Sequence, residues 1–277
     1  MTAARAALGR INRPVEMRVA LHAHLAAIHE RAARYSDALV ELNHAIELDS
    51  GATNYRLAKY HGDHGRIQGD HLRRFAEALT DFDRAIDLGS DALGIKHPEV
   101  AKFVQAQAWI RLHLGRMDEA EKDYLYALDT LTAAYGDDAV QLRYSINGLG
   151  SVALGRGDFP TATGHYQRLR DLLVRHKGAD APELRAPTIN LAETLYRSGD
   201  PTEALRLAEQ AQFICEREYG PDNDACADTL AHVARAHILL GRLDLATPLV
   251  DRAITTLERT QGTTFPELTR PLFVRGT

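Results

Sequence analysis

A glycine followed five residues later by an alanine recurs at Gly115–Ala120, Gly157–Ala162, Gly199–Ala204 and Gly241–Ala246, a step of 42 residues. Worn copies stand upstream at Ala33–Ala38 and Arg73–Ala78. A second glycine column (Gly94, Gly136, Gly178, Gly220, Gly262) keeps the same step. Two independent columns in one register mark a stacked repeat, in which each unit packs chiefly on its neighbours. Such a chain needs no single central core, so the 277 residues are expected to form one elongated array rather than two globular domains. The function class that follows is a surface for holding another molecule.

The unit from Pro98 to Gly136 shows what is repeated. Val100, Phe103, Val104, Ala108, Ile110 and Leu112 recur at helical spacing, predicting a helix over Glu99 to Leu114. Gly115 suits a left-handed helix end, and Asp118 stands where an N-cap is expected. A second helix is predicted from about Glu119 to Tyr135, ended by Gly136. Ala120 and Ala127 lie seven apart, two turns along one face, and the pairs Ala38/Ala45, Ala78/Ala85, Ala204/Ala211 and Ala246/Ala253 repeat them. A missing side chain lets the two helices of a unit approach closely. Leu169, opposite Ala162, is the departure, expected to push the fourth unit's helices slightly apart. The fold class is all-α: an α-solenoid of about six helix-turn-helix units.

These residues resemble the tetratricopeptide repeat: Ala108, Gly115, Ala120, Tyr124 and Ala127 fit its pattern, as do Gly150, Gly157, Ala162 and Tyr166, and Asn190-Leu191-Ala192 with Gly199, Ala204 and Ala211. The usual unit has 34 residues. A 42-residue unit adds roughly one turn to each helix. The long unit, with His-Pro-Glu-Val at His97–Val100 and cognates at Ala181–Leu184 and Phe265–Leu268, is similar to the kinesin-light-chain type, also found in bacterial signalling and scaffold proteins. The resemblance implies a right-handed superhelix, and the absence of a heptad coiled coil argues against a motor subunit. Its register assigns 1–17 to a partial N-terminal helix or cap, 18–262 to six units, and 263–277 to a partial seventh unit or C-terminal cap. Both ends fall mid-unit. They are either natural caps or the edges of an array cut from a longer protein.

Several function classes find no support. Net charge is −5 with no long Lys/Arg run, so no nucleic-acid footprint is present. Met1 to Arg10 carries no apolar stretch of signal-peptide length. No run of about eighteen apolar residues suggests a membrane span. A cytoplasmic chain is the expectation. The two cysteines, Cys215 and Cys226, flank the Gly220 loop but do not make a disulfide framework, so thiols are expected. No glycine-rich phosphate loop, nucleophile elbow or His-Glu-x-x-His motif occurs, and Ser151 has no histidine in register to activate it. Gly148-Leu149-Gly150 reads as close helix packing. No enzyme activity and no cofactor are expected.

The second unit is irregular. Gly62, Gly65 and Gly69 fall inside its predicted first helix, Lys59 to Leu72, each costing up to about 1 kcal/mol against alanine. That helix should be the weakest, partly unwound or bent, and Gly65→Ala should stabilise it if it is helical. The same segment carries His61, Asp63, His64, Asp70 and His71. Zinc would need three or four such groups to converge. An exposed, weak, His-rich helix accounts for them without metal.

In the family, the first helices line a concave face. Counting back from the turn glycine, the resemblance places there Lys102, Gln105, Trp109 and His113, then Tyr144, Asn147 and Ser151, then Asn190, Glu193 and Arg197, then His232 and Arg235. Asn190 matches the family asparagine that bonds ligand backbone; Asn147 is one residue out of that register. Amides offer both donor and acceptor to an extended peptide, and Lys102, Arg197 and Arg235 suit carboxylates or phosphates. Trp109 is either an anchor for an apolar side chain or a residue packed between helices. The implied function is a non-enzymatic interaction module or scaffold that holds a protein or peptide partner. The alternative is a ligand- or peptide-sensing domain of a larger signalling protein, such as a kinase or transcription regulator.

Overall fold

The computed structural model describes residues 14–49 and 54–261. Among these are twelve α-helices and no strand. The chain divides into two compact units, residues 1–136 and 137–277. The first holds three helix hairpins: α1 (Val15–Arg31) with α2 (Tyr35–Leu48), α3 (Asn54–Arg66) with α4 (Phe75–Leu93), and α5 (Pro98–His113) with α6 (Met117–Tyr135). The second holds α7 (Arg143–Arg156) with α8 (Phe159–Lys177), α9 (Arg185–Arg197) with α10 (Pro201–Tyr219), and α11 (Ala227–Leu239) with α12 (Leu243–Gln261). The expected seventh-unit fragment at 263–277, and residues 1–13 of the expected cap, lie outside the described residues.

The hairpin turns carry the left-handed backbone that the glycine column predicts, with φ between 72° and 94° at Gly115, Gly157, Gly199 and Gly241. The worn copies keep that conformation without glycine: Ala33 has φ 54° and Arg73 φ 56°. A Cβ at positive φ is strained. The architecture therefore holds where the sequence signal fades, although the step from Ala33 to Arg73 is 40 residues rather than 42.

Asp118 is not an N-cap. Ala120 N–H donates to Arg116 O at 3.0 Å, so Arg116 is the cap residue and Asp118 sits in the first turn. The turn is tighter than the sequence suggested. Capping by a side chain does occur at the equivalent positions of the next two hairpins. Asp158 accepts from Thr161 N–H at 3.2 Å, and Asp200 from Glu203 N–H at 3.1 Å.

The paired alanines of the second helices are at most 2% exposed, from Ala38 and Ala45 through Ala246 and Ala253. Leu169 is buried among them. Gly150 is a packing glycine, as read: a Cβ there would lie 2.7 Å from Cε1 of the buried Tyr166.

The second hairpin bends only at one end. α3 is regular to Arg66, and a π-helical turn follows over Ile67–His71, with Leu72 N–H donating to Ile67 O at 3.3 Å. The glycines are there for close approach. A Cβ on Gly62 would meet the Phe103 ring at 2.5 Å, one on Gly65 the Ala78 carbonyl at 3.1 Å, and one on Gly69 the Ile110 side chain. The expected gain from Gly65→Ala is thus opposed by a backbone carbonyl that cannot move freely.

The expectation for the cysteines is overturned. Cys215 and Cys226 form a disulfide, with both residues fully buried. The helix end and the turn that carry them meet across the Gly220 loop, a tertiary contact that cysteine number does not report.

Candidate functional site

In the second unit the first helices α7, α9 and α11 bring most of the sequence-selected residues onto one polar strip. Asn190 Nδ2 donates to Asn147 Oδ1 at 3.1 Å, joining α9 to α7. Ser151, one turn on from Asn147, donates to the Asn147 carbonyl at 3.1 Å and lies 3.0 Å from the Tyr166 hydroxyl. Burial raises the Tyr166 phenol to about 12, against the lowering effect of the Ser151 contact. Ser151 is thus held by a tyrosine that stays protonated, not by a base.

Between α9 and α11 the strip is charged. Arg235 Nη1 donates to Glu193 Oε2 at 3.3 Å and to the Tyr196 hydroxyl oxygen at 3.1 Å. Its guanidinium also lies 4.2 Å from the Tyr196 ring centroid. The Tyr196 hydroxyl also lies within hydrogen-bond reach of His232 Nδ1, 3.0 Å away. His232 stands 3.9 Å from both Glu193 and Asp228. Asn147, Asn190, Glu193, His232 and Arg235 are all half-buried. Tyr196 was missed from sequence, although it stands one turn beyond Glu193 on the same face.

Two candidates sit apart from this network. Arg197 is exposed and stacks over Phe159, 5.6 Å from the ring centroid. Tyr144 is 58% exposed, with Arg143 over its ring at 4.1 Å and donating to its hydroxyl at 3.0 Å.

In the first unit the candidates do not form one network. Lys102 pairs with Glu99 at 2.5 Å. Gln105 is buried. Trp109 is half-buried, 3.9 Å from the His113 ring and edge-on to Phe75 at 6.3 Å. It packs against the cluster of Ala78, Phe82 and Ile110.

Of the histidine segment, Asp63, Asp70 and His71 are exposed as expected, but His61 and His64 are half-buried. His61 and His64 place Nδ1 at 2.9 Å and 2.7 Å from the two oxygens of Asp81, and Gln68 Nε2 donates to the same carboxylate at 2.9 Å. His71 turns elsewhere, stacked on Tyr35 at 4.1 Å. The three histidines do not converge. Among the described residues no three His, Cys, Asp or Glu side chains gather as metal ligands, and no helix is long and apolar enough to cross a membrane.

A family model described as tetratricopeptide repeat matches residues 183–259, which span α9 to α12. No curated protein matches. Among solved structures, BtubC (BKLC) from P. vanneervenii is 18% identical with a TM-score of 0.64, covering 92% of this chain and 95% of its own. The putative kinesin light chain repeats of Podospora anserina are 16% identical with a TM-score of 0.63, covering 76% of this chain and 99% of their own.

Over α9 to α12 the chain carries the tetratricopeptide repeat. The tetratricopeptide array shares its fold with the Rap conjugation gene regulator of plasmid pLS20, solved with the Phr* peptide: 15% identity, TM-score 0.65, 96% of this chain and 78% of that one. The long kinesin-light-chain type expected from the 42-residue step is represented among these neighbours. At such identities the likeness is one of fold.

Proposed function

We propose that this protein is a non-enzymatic interaction module whose polar strip on α7, α9 and α11 holds an extended peptide segment of a protein partner. The supporting observation is the half-burial of Asn147, Asn190, Glu193, His232 and Arg235, bonded to one another from helix to helix. Groups held in place this way lose little freedom when a ligand replaces one of their partners. A peptide backbone can substitute for either half of the Asn147–Asn190 bond, since an amide presents both donor and acceptor. Arg235 and the exposed Arg197 suit acidic side chains, and Tyr144 offers an aromatic contact. Net charge of −5 gives no basic field for nucleic acid.

Two Rap structures among the neighbours, one with Competence and Sporulation Factor and one with the Phr* peptide, support peptide as the ligand class. The second is a gene regulator, which favours a further reading of this array as the sensing part of a signalling protein. Selection of a random peptide library on the purified protein, with an Asn190→Ala/Arg197→Ala variant as counter-bait, tests the proposal. Enrichment of sequences that bind the native protein at least tenfold more tightly supports it (about 1.4 kcal/mol). Equal retention by both overturns it. Scattering with the selected peptide separates the readings: an unchanged radius of gyration marks a scaffold, a changed one a sensor.

A further inference from the structure

Cys215 lies near the end of α10, and Cys226 closes the short turn Asp224–Cys226 that leads into α11. Their disulfide therefore ties the fifth hairpin to the sixth across the Gly220 loop. One repeat earlier the same register positions are Leu173 and Leu184, 3% and 1% exposed. The step before that, they are Leu131 and Leu142, also buried. Between the second and third hairpins they are Gly89 and Val100, packed closely together, so apolar pairs of different volume serve at this position in any redox state. Between the fifth and sixth hairpins a covalent bond, which exists only when oxidised, stands where the joint between the fourth and fifth has two leucines. On reduction the two sulfurs must part to van der Waals separation inside a fully buried joint closed around their bond, so the packing there is disturbed.

We propose that the joint between the fifth and sixth repeats is a thiol switch, closed by the Cys215–Cys226 disulfide and opened by a dithiol reductant. One thiolate of the reductant attacks a cystine sulfur, the S–S bond breaks, and a mixed disulfide forms. The reductant's second thiol then resolves it. Cys215 and Cys226 end as two thiols, taking both protons and two electrons from the reductant, which leaves as its own disulfide. Both cysteines are buried, so exchange waits on release of the loop at Gly220–Asn223. That loop is strapped from α12, where Arg252 donates to Pro221 O and Arg259 to Asp222 O.

The consequence reaches the polar strip, and this part rests on the peptide-binding reading above. α11 carries His232 and Arg235. With the staple open, α11 remains tied to α10 by the Thr229–Gln212 hydrogen bond and by packing. Its seating against Glu193 and Tyr196 on α9 then loosens.

Hydrogen exchange on the full-length protein, with and without dithiothreitol, tests the switch without reference to any peptide. Maleimide labelling should find no reactive thiol before reduction and two after. Amides of α11 and α12 should exchange roughly tenfold faster or more on reduction, with α7 and α8 unchanged. A Cys215→Leu/Cys226→Leu variant, which copies the Leu173/Leu184 joint, should stay slow in either condition. Two free thiols that resist oxidation in the native protein, or exchange that ignores the reductant, overturn the proposal. If exchange responds and the affinity of a selected peptide does not, the switch stands and the peptide strip is misplaced.

Discussion

Glu193 and Arg235 stand 42 residues apart, one full repeat, and meet at 3.3 Å between α9 and α11. The pair is thus a contact between equivalent faces of consecutive first helices. Arg235 also lies over Tyr196. The arginine is over a third exposed, so solvent screens the ion pair. A double-mutant cycle with Glu193→Gln and Arg235→Gln should return a coupling of about 0.5 kcal/mol in urea unfolding. A coupling of zero would show that the side chains do not hold this arrangement in solution.

Ala33 turns the first hairpin at φ 54°, where every well-preserved copy has glycine. Ala33→Gly should raise stability by about 1 kcal/mol, because it relieves the Cβ clash of the left-handed region. Thermal melting reads this directly, and a lower melting temperature would contradict the turn geometry. Arg73 has the same backbone but also lies 5.0 Å over the Phe75 ring. Its replacement by glycine should gain less.

Gly150→Ala should do the opposite. Helix propensity favours alanine by up to about 1 kcal/mol, but the new methyl would stand 2.7 Å from a fully buried tyrosine ring. Overpacking of this kind costs about 1–3 kcal/mol, so the net effect is destabilising. A variant as stable as the native chain would mean that Tyr166 can leave its place.

Asp81 gives unit one an acid sensitivity. Burial raises its carboxyl, but hydrogen bonds from His61 and His64 outweigh that and hold it below the usual range. A depressed folded pKa stabilises the fold above the ordinary carboxylate value, about 4, and that contribution is lost as pH falls through the folded value. Asp81→Asn should therefore cost about 1–3 kcal/mol near neutrality, and the gap from native protein should close as pH drops below about 4. A gap independent of pH would rule the carboxylate out as its source.

Opening the Cys215–Cys226 staple removes a closed loop with a sequence separation of 11. Loop-closure entropy puts its contribution at about 3 kcal/mol. Urea unfolding of the sixth hairpin, followed by exchange at α12, should show a loss of that order on reduction, and none in the Cys215→Leu/Cys226→Leu variant.

The parts of this fold legible in the sequence are those fixed by local geometry at constant spacing. Gly115 and its cognates mark turns because positive φ selects glycine, and Ala120 and Ala127 mark a close contact because little else fits. Asn190 and Glu193 were found by their offset from the turn. What escaped the reading depends on contacts made far along the chain. Asp81 reaches His61 and His64 from 20 and 17 residues away, so the histidines looked like an exposed helix face. Gly62 and Gly69 looked like weakness because Phe103 and Ile110, which press on them, belong to the next hairpin. Asp118 was misplaced by two residues within a turn that closes faster than its composition suggests. The disulfide joins two positions that the repeat register pairs at each joint, but the register reports proximity and not the bond.

The paired alanines lie on the second helices, and the polar strip lies on the first. On the peptide-binding reading proposed above, what lets the helices of a repeat approach and what would select a ligand are written on different strips of chain. Replacing the first-helix polar residues of one repeat with those of another should yield an array that assembles as before and chooses a different ligand. The 42-residue unit is in that sense an exchangeable cassette, and a family of binders could be assembled by permuting it.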